Sequence, residues 1–345
     1  MSARDAAADY VTRGWAPIPV PWGTKAPTLH GWPELRLTPQ TLKDYFNGDR
    51  QNIGVLLGQP SGGLVDVDLD CPEAVLAARH LLPDTGGVFG REGNPQSHHL
   101  FRCPGIKTTK LTALDGEVLL ELRATGTQTV FPPSCHPSGE IVEWVCDNAP
   151  VEIEGARLTR LVGLVAAAAL IARRWPTHGR HDAALALAGA LRRAGWSLDQ
   201  TVLFMRAVTE AAHDEEVADR VRAVKDTFAE GGATTGWPRL AEILGRDVVG
   251  RLRDWLGGQS HAHEGAENAK AEAGSAAANT TVAAPTIQYA PGELPRNLDE
   301  AESALLVRGG VYQRGSLLVR VARMPETRVT RSVRRHGGSN DHPAR

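Results

Sequence analysis

The stretch Gly63-Leu64-Val65-Asp66-Val67-Asp68-Leu69-Asp70 carries three carboxylates at alternate positions, separated by leucine and valine. Period-two alternation reads as a strand with one packed face and one acidic face. Asp66 and Asp68 then point the same way, about 7 Å apart along the chain. Like charges that close are unfavourable unless a cation sits between them. A divalent metal meets that need, and a pair of metals serves phosphoryl transfer. The alternative is a solvated acidic edge strand, whose charges discourage aggregation.

Other residues could join such chemistry. Ser97-His98-His99-Leu100-Phe101-Arg102 reads as a strand with Ser97 and His99 on one face and His98 on the other. A Ser-x-His pair can donate hydrogen bonds to phosphate oxygens, although a single histidine is more often a surface or core residue. In Val118-Leu119-Leu120-Glu121-Leu122-Arg123, Glu121 sits among leucines, where an unpaired carboxylate is costly. Its partner is either Arg123 on the same face or a metal. Lys25 lies in a loop, where a lysine is usually just solvated. The Gly-rich residues 84–96 read as a flexible loop, and match neither a Walker A sequence nor a dinucleotide fingerprint.

The elements that must position these groups follow from the rest of the chain. Its 345 residues allow two or three domains, and 42% hydrophobic with 23% charged residues is ordinary for a globular protein. A formal net charge of -2 gives no global basic signature, so any nucleic-acid contact must come from local patches. Four scattered cysteines with no CxxC pair disfavour a zinc ribbon and a disulfide framework. The N-terminus lacks a signal peptide, so the expected location is the cytoplasm. The apolar run Leu161 to Ala172 is too short to span a bilayer and reads as a buried helix, with no membrane partner expected. Residues 1–150 alternate strands with short helices, among them one from Thr38 to Phe46 with Thr38 as N-cap. Near residue 151 the pattern turns helical, with five or six helices up to residue 256, one of them capped by Asp182. Residues 257–292 are poor in large apolar side chains and read as a disordered linker. Residues 293–345 read as a small island with a hairpin at 311–321, followed by an Arg-rich tail.

In their order, these pieces resemble the bifunctional DNA primase/polymerase (prim-pol) domain of the archaeo-eukaryotic primase superfamily. The resemblance rests on Gly14-Trp15 with Pro17-Ile18-Pro19, Lys25-Ala26-Pro27, Gly31-Trp32 and Asn52-Ile53-Gly54-Val55 with Gly58. It continues through Leu64-Val65-Asp66-Val67-Asp68, Ser97-His98-His99, Leu120-Glu121-Leu122-Arg123 and Pro132-Pro133-Ser134, ending at His136-Pro137-Ser138-Gly139 and Glu143-Trp144. The helical region around Gly179-Arg180-His181-Asp182 is similar to the domain that follows prim-pol domains in phage and mobile-element replication proteins. The resemblance implies an α+β fold: a modified RRM-type catalytic domain (1–150), an all-α domain (151–256) and a largely disordered tail. It implies Asp66, Asp68 and Glu121 as ligands of two Mg²⁺ or Mn²⁺ ions; some members also carry a zinc-binding element, but the sequence has no Cys/His cluster of that spacing, so no zinc is expected. It implies Ser97 and His99 as the holders of the nucleotide triphosphate, with Lys25 and Arg123 as further phosphate contacts. The implied activity is primer synthesis on single-stranded DNA from NTPs or dNTPs. A helicase usually follows in such proteins; no Walker A sequence occurs here, so a separate helicase partner is expected and the chain reads as a truncated or split replication protein.

Two other classes compete. Asp66-Val67-Asp68 alone also suits another metal-dependent phosphoryl-transfer enzyme, although Asp70 stands where a haloacid-dehalogenase motif needs Thr or Val. A catalytically weak single-strand- or origin-binding adaptor is the other, against which the intact acids and Ser-x-His argue.

Overall fold

The computed structural model describes residues 2–48, 50–229 and 236–256, and the backbone of 311–314 and 317–320. In chain order the elements are α1 (Ala3–Thr12), β1 (Ala16–Pro21), α2 (Leu42–Tyr45), β2 (Gln51–Leu56), β3 (Leu64–Leu69), α3 (Pro72–Leu81), β4 (Gly87–Arg91) and β5 (Asn94–Arg102). They continue with β6 (Thr109–Thr112), β7 (Val118–Arg123), β8 (Gln128–Phe131), β9 (Glu143–Asp147) and β10 (Val151–Glu152). Helices α4 (Gly155–Arg173), α5 (Arg180–Arg193), α6 (Leu198–Ala211), α7 (Val217–Ala229), α8 (Trp237–Leu244) and α9 (Arg246–Leu256) complete this part. The fold is α+β, with sheets first and helices after.

Two sheets form. The smaller is antiparallel, in the order β1-β2-β8, and the larger runs β6-β7-β3-β5-β4-β9 with β10 added parallel to the far end of β5. Strand β3 is therefore central, flanked by β7 and β5, and the edge-strand reading of its acids is excluded. Both of its faces are buried. Val65, Val67 and Leu69 enter a core shared with α3 and with α4 to α9, while Leu64 joins a second core containing Tyr10, Trp15, Ile53, Phe89 and Phe131. Continuous burial of this kind usually selects an unbroken apolar run; here the acids of one face are retained.

The helices grow from ordinary local signals. Ser2 and Asp5 form a capping box on α1, and Ser197 and Gln200 form one on α6. Glu154 caps α4 by accepting from the Ala156 and Arg157 amides, both at 2.7 Å. At 19 residues α4 is longer than its apolar run, and by length and composition it could cross a bilayer. Its Leu, Val and Ala side chains are instead buried beneath the large sheet. Helix α7 is tied down by Asp214, which accepts from the Trp175 indole at 2.9 Å and from Arg220 Nε at 3.0 Å.

Three local expectations shift. Residues 38–41 form a hydrogen-bonded turn, and the helix begins only at Leu42. Asp182 is not the cap of α5; Gly179 is, with φ 72°, and Asp182 bonds Arg239 across the surface. The Gly-rich stretch is not a loop but the β4–β5 hairpin inside the large sheet. Its glycines allow close backbone approach: a Cβ on Gly90 would lie 2.5 Å from the Asn94 carbonyl oxygen and 2.7 Å from the Gln96 nitrogen.

Further along, β11 (Val311–Arg314) pairs antiparallel with β12 (Leu317–Arg320), where the sequence places a hairpin. The linker read at 257–292 and the remainder of 293–345 lie outside the described residues.

Candidate active site

On β3, Asp66 and Asp68 face the same side, as alternation requires, and both are buried, at 0% and 6% exposure. Register fixes their neighbours. Asp66 lies opposite Arg123 and Asp68 opposite Glu121 on β7, while Asp68 lies opposite His98 on β5. In antiparallel pairing, opposed residues share a face, so His98 joins the acids. Its Nδ1 is 3.0 Å from Asp66 Oδ2 and 3.5 Å from Asp68 Oδ1, and its ring stacks on Phe89 with centroids 4.5 Å apart.

His99 is a correction to the sequence reading. It lies opposite Val67, on the other face, where its Nε2–H donates to the Gln96 carbonyl at 3.0 Å. Ser97 is buried and lines the same pocket as His98. Gln96 has a positive φ of 57°, and the pairing of β4 with β5 is irregular between Phe89 and Arg91. Such bulges re-aim side chains. Nothing in the residue pattern marks this one, apart from the turn-like Gly93-Asn94-Pro95 run before it.

Glu121 lies opposite Asp68, on the acid-bearing face. Its carboxylate accepts from Arg123 Nε at 3.0 Å and lies 3.8 Å from Lys110 Nζ. Arg123, one of the two partners left open by the sequence, is thus in bonding reach. Arg123 further reaches Asp68 Oδ2 at 2.8 Å, so one guanidinium bridges β3 and β7 through two acids. The small sheet contributes Thr129, whose hydroxyl donates to Asp66 Oδ2 at 2.7 Å; neither Thr129 nor His98 is a candidate from sequence alone.

A pocket opens beside this cluster. Asp68, Asp70 and His98 line it together with Lys25, Arg91, Arg123 and His136. The protonation states follow from these neighbours. Burial opposes charge on Asp66, but His98, Arg123 and the Thr129 hydrogen bond outweigh it and hold the carboxyl below its usual range. Burial likewise opposes a charged His98, but Asp68 and Asp66 outweigh it and hold its pKa above the ordinary value. Burial, reinforced by the Asp68 charge, pushes Asp70 up to about 6. Burial, together with the charges of Lys25 and Arg91, lowers His136.

The acids suit a hard divalent cation. Their donors are all carboxylate oxygens, and Asp66 Oδ1 is buried without a hydrogen-bond partner. Among the described residues no group of three His, Cys, Asp or Glu side chains is placed to hold an ion. The fit therefore rests on the Asp66–Asp68 pair.

Acids and cations thus meet around one pocket, with Asp68 and Asp70 beside Lys25, Arg91 and Arg123. Residues 7–156 match the family model described as bifunctional DNA primase/polymerase, N-terminal. No curated protein matches the chain. Every residue of the pocket falls inside the matched segment, and residues 7–156 are a prim-pol domain of the bifunctional DNA primase/polymerase family.

Proposed function

We propose that this protein extends a nucleic-acid strand by template-directed nucleotidyl transfer at the β3 acids, making primers on single-stranded DNA. The observation that carries the reading is the pair Asp66 and Asp68, buried on one face of the central strand, with Asp68 lining a pocket that Lys25, Arg91 and His136 also line. Asp66 and Asp68 would hold Mg²⁺ or Mn²⁺. Bound there, such ions supply charge neutralisation at the α-phosphate and a lower pKa for an attacking 3′-hydroxyl.

The chain's own residues do the rest. His98, whose pKa the two aspartates raise, offers its remaining N–H to a phosphate oxygen. Ser97 donates from the same pocket, and Lys25 and Arg91 balance the outer phosphates. Arg123 holds the Asp68 carboxylate in place, and Glu121 holds Arg123. Buried positions on regular strands keep these groups rigid, which favours positioning over adaptation. The resemblance of the helical region supports a setting in phage or mobile-element replication, working with a helicase.

The test is primer synthesis by the full chain on single-stranded DNA, with labelled NTPs and dNTPs in parallel. Wild type should incorporate nucleotide when Mg²⁺ or Mn²⁺ is added. The double variant Asp66→Asn with Asp68→Asn should incorporate essentially none, and should lose any Mn²⁺-induced rise in Tm. Synthesis retained by the double variant would remove this mechanism.

A further inference from the structure

Beside the acidic pocket lies a second, larger groove of about 500 Å³, lined by Arg4, Trp22, Asn47, Arg50, Gln51 and Ile141 among others. Its composition is unusual for an unused surface. Trp22 is 38% exposed, and the Arg50 guanidinium lies 6.0 Å from its ring centroid. Arg4, on the first turn of α1, supplies a second exposed cation. Among the described residues no acidic side chain lines the groove.

The floor is built rather than loose. Gln51 donates to the Tyr45 carbonyl at 3.0 Å and accepts from the Gly48 amide at 2.9 Å, and Asn47 donates to the Asp44 carbonyl at 3.1 Å. Phe46 is buried beneath. The groove also adjoins the acids. Trp22 is three residues from Lys25, at most about 10 Å of chain, and Ile141 directly precedes Val142; Lys25 and Val142 both line the acidic pocket.

We propose that this groove receives single-stranded DNA, with a base stacked on Trp22 and the backbone phosphates drawn to Arg4 and Arg50. An exposed aromatic ring between cations is what sequence-independent single-strand binding uses: the ring takes the face of any base, and the cations follow the backbone. The inference rests on the polymerase reading of the neighbouring pocket, because it places the strand where a template must run. A protein segment docking on Ile141 and Pro133 is the competing occupant; it would have to bring carboxylates to the two arginines and leave Trp22 without a base to stack on.

The test uses the full chain and a fluorescein-labelled oligo(dT), followed by anisotropy. Trp22→Ala should weaken binding roughly ten-fold, and Trp22→Phe should restore most of it. Arg4→Ala with Arg50→Ala should flatten the slope of log affinity against log salt by about 1.4, for two phosphate contacts. In parallel, photo-crosslinking of an iodouracil-substituted oligonucleotide should mark the peptide containing Trp22. Unchanged affinity and salt slope in these variants, with crosslinks only elsewhere, would overturn the proposal. All three residues are exposed, so Tm should stay at the wild-type value and loss of fold should not confuse the result. The two readings fail separately. A wild type that binds oligo(dT) through Trp22 but incorporates no nucleotide loses the polymerase and keeps the groove. One that incorporates nucleotide with Trp22→Ala at wild-type template affinity keeps the polymerase and loses the groove.

Discussion

At the scale of the residue, partners decide what each acid does. Read as sequence, Asp66, Asp68 and Glu121 are three like charges whose repulsion would be relieved by neutral substitution. In the structure each acid faces a cation, and Asp66 is fully buried against His98. Asp66→Asn should therefore destabilise the protein without metal, because it leaves His98 and Arg123 short of compensating charge. Breaking a buried pair costs on the order of 3 kcal/mol, a Tm lower by roughly 6–12 °C. Calorimetry on the metal-free protein decides it; a Tm equal to wild type or above would mean that repulsion dominates after all. The two histidines make a matched pair of controls. His98→Ala should lower incorporation roughly ten- to hundred-fold, the worth of a charge-assisted hydrogen bond. His99→Ala removes only a bond to the Gln96 carbonyl and should leave the rate within a few-fold of wild type, measured at saturating nucleotide.

At the scale of the element, β3 was legible and β5 was not. The alternation from Leu64 to Leu69 places Asp66 and Asp68 on one face whatever the rest of the chain does, because strand geometry leaves no other choice. The side of His98 and His99 depends instead on the register of β5 against β3, which sets His98 opposite Asp68 and His99 opposite Val67. Long-range pairing of that kind leaves no periodic trace. The hairpin itself was hidden because glycines that permit close packing look the same in sequence as glycines that loosen a loop. Gly90 tests that distinction. Gly90→Ala would push a methyl group against the backbone of Asn94 and Gln96, which cannot move without disturbing the bulge. A loss of roughly 1–3 kcal/mol is expected, together with slower nucleotide incorporation as Ser97 and His98 shift. Thermal melts and single-turnover rates on the same preparation would show both; wild-type values in each would return the stretch to the role of a passive loop.

At the scale of the whole molecule, the Asp214 network governs acid stability in the helical part. Burial opposes charge on Asp214, but the Glu216 amide, the Trp175 indole and Arg220 outweigh it, so its pKa lies below the ordinary value. A depressed carboxylate contributes stability that is complete above the unfolded pKa of about 3.9 and is lost as pH falls through the folded pKa. The Tm gap between wild type and Asp214→Asn should therefore be constant above about pH 4 and narrow below it. A gap that stays constant down to pH 2 would show that Asp214 carries no linked proton. The change from strands to helices near residue 151 was visible in the sequence, but the way the two regions meet was not, since apolar spacing says which face is buried and not against what. Val65, Val67 and Leu69, on the reverse of the acid-bearing strand, lie in the same core as α4 to α9. That sharing has a consequence for inheritance. A prim-pol sheet of this kind cannot be passed to a new chain as a free module at the point where the sequence changes character. Either the helices travel with it, or the recipient must already own a greasy surface shaped to the underside of β3, and drift in the helices is policed by the same strand that carries the chemistry.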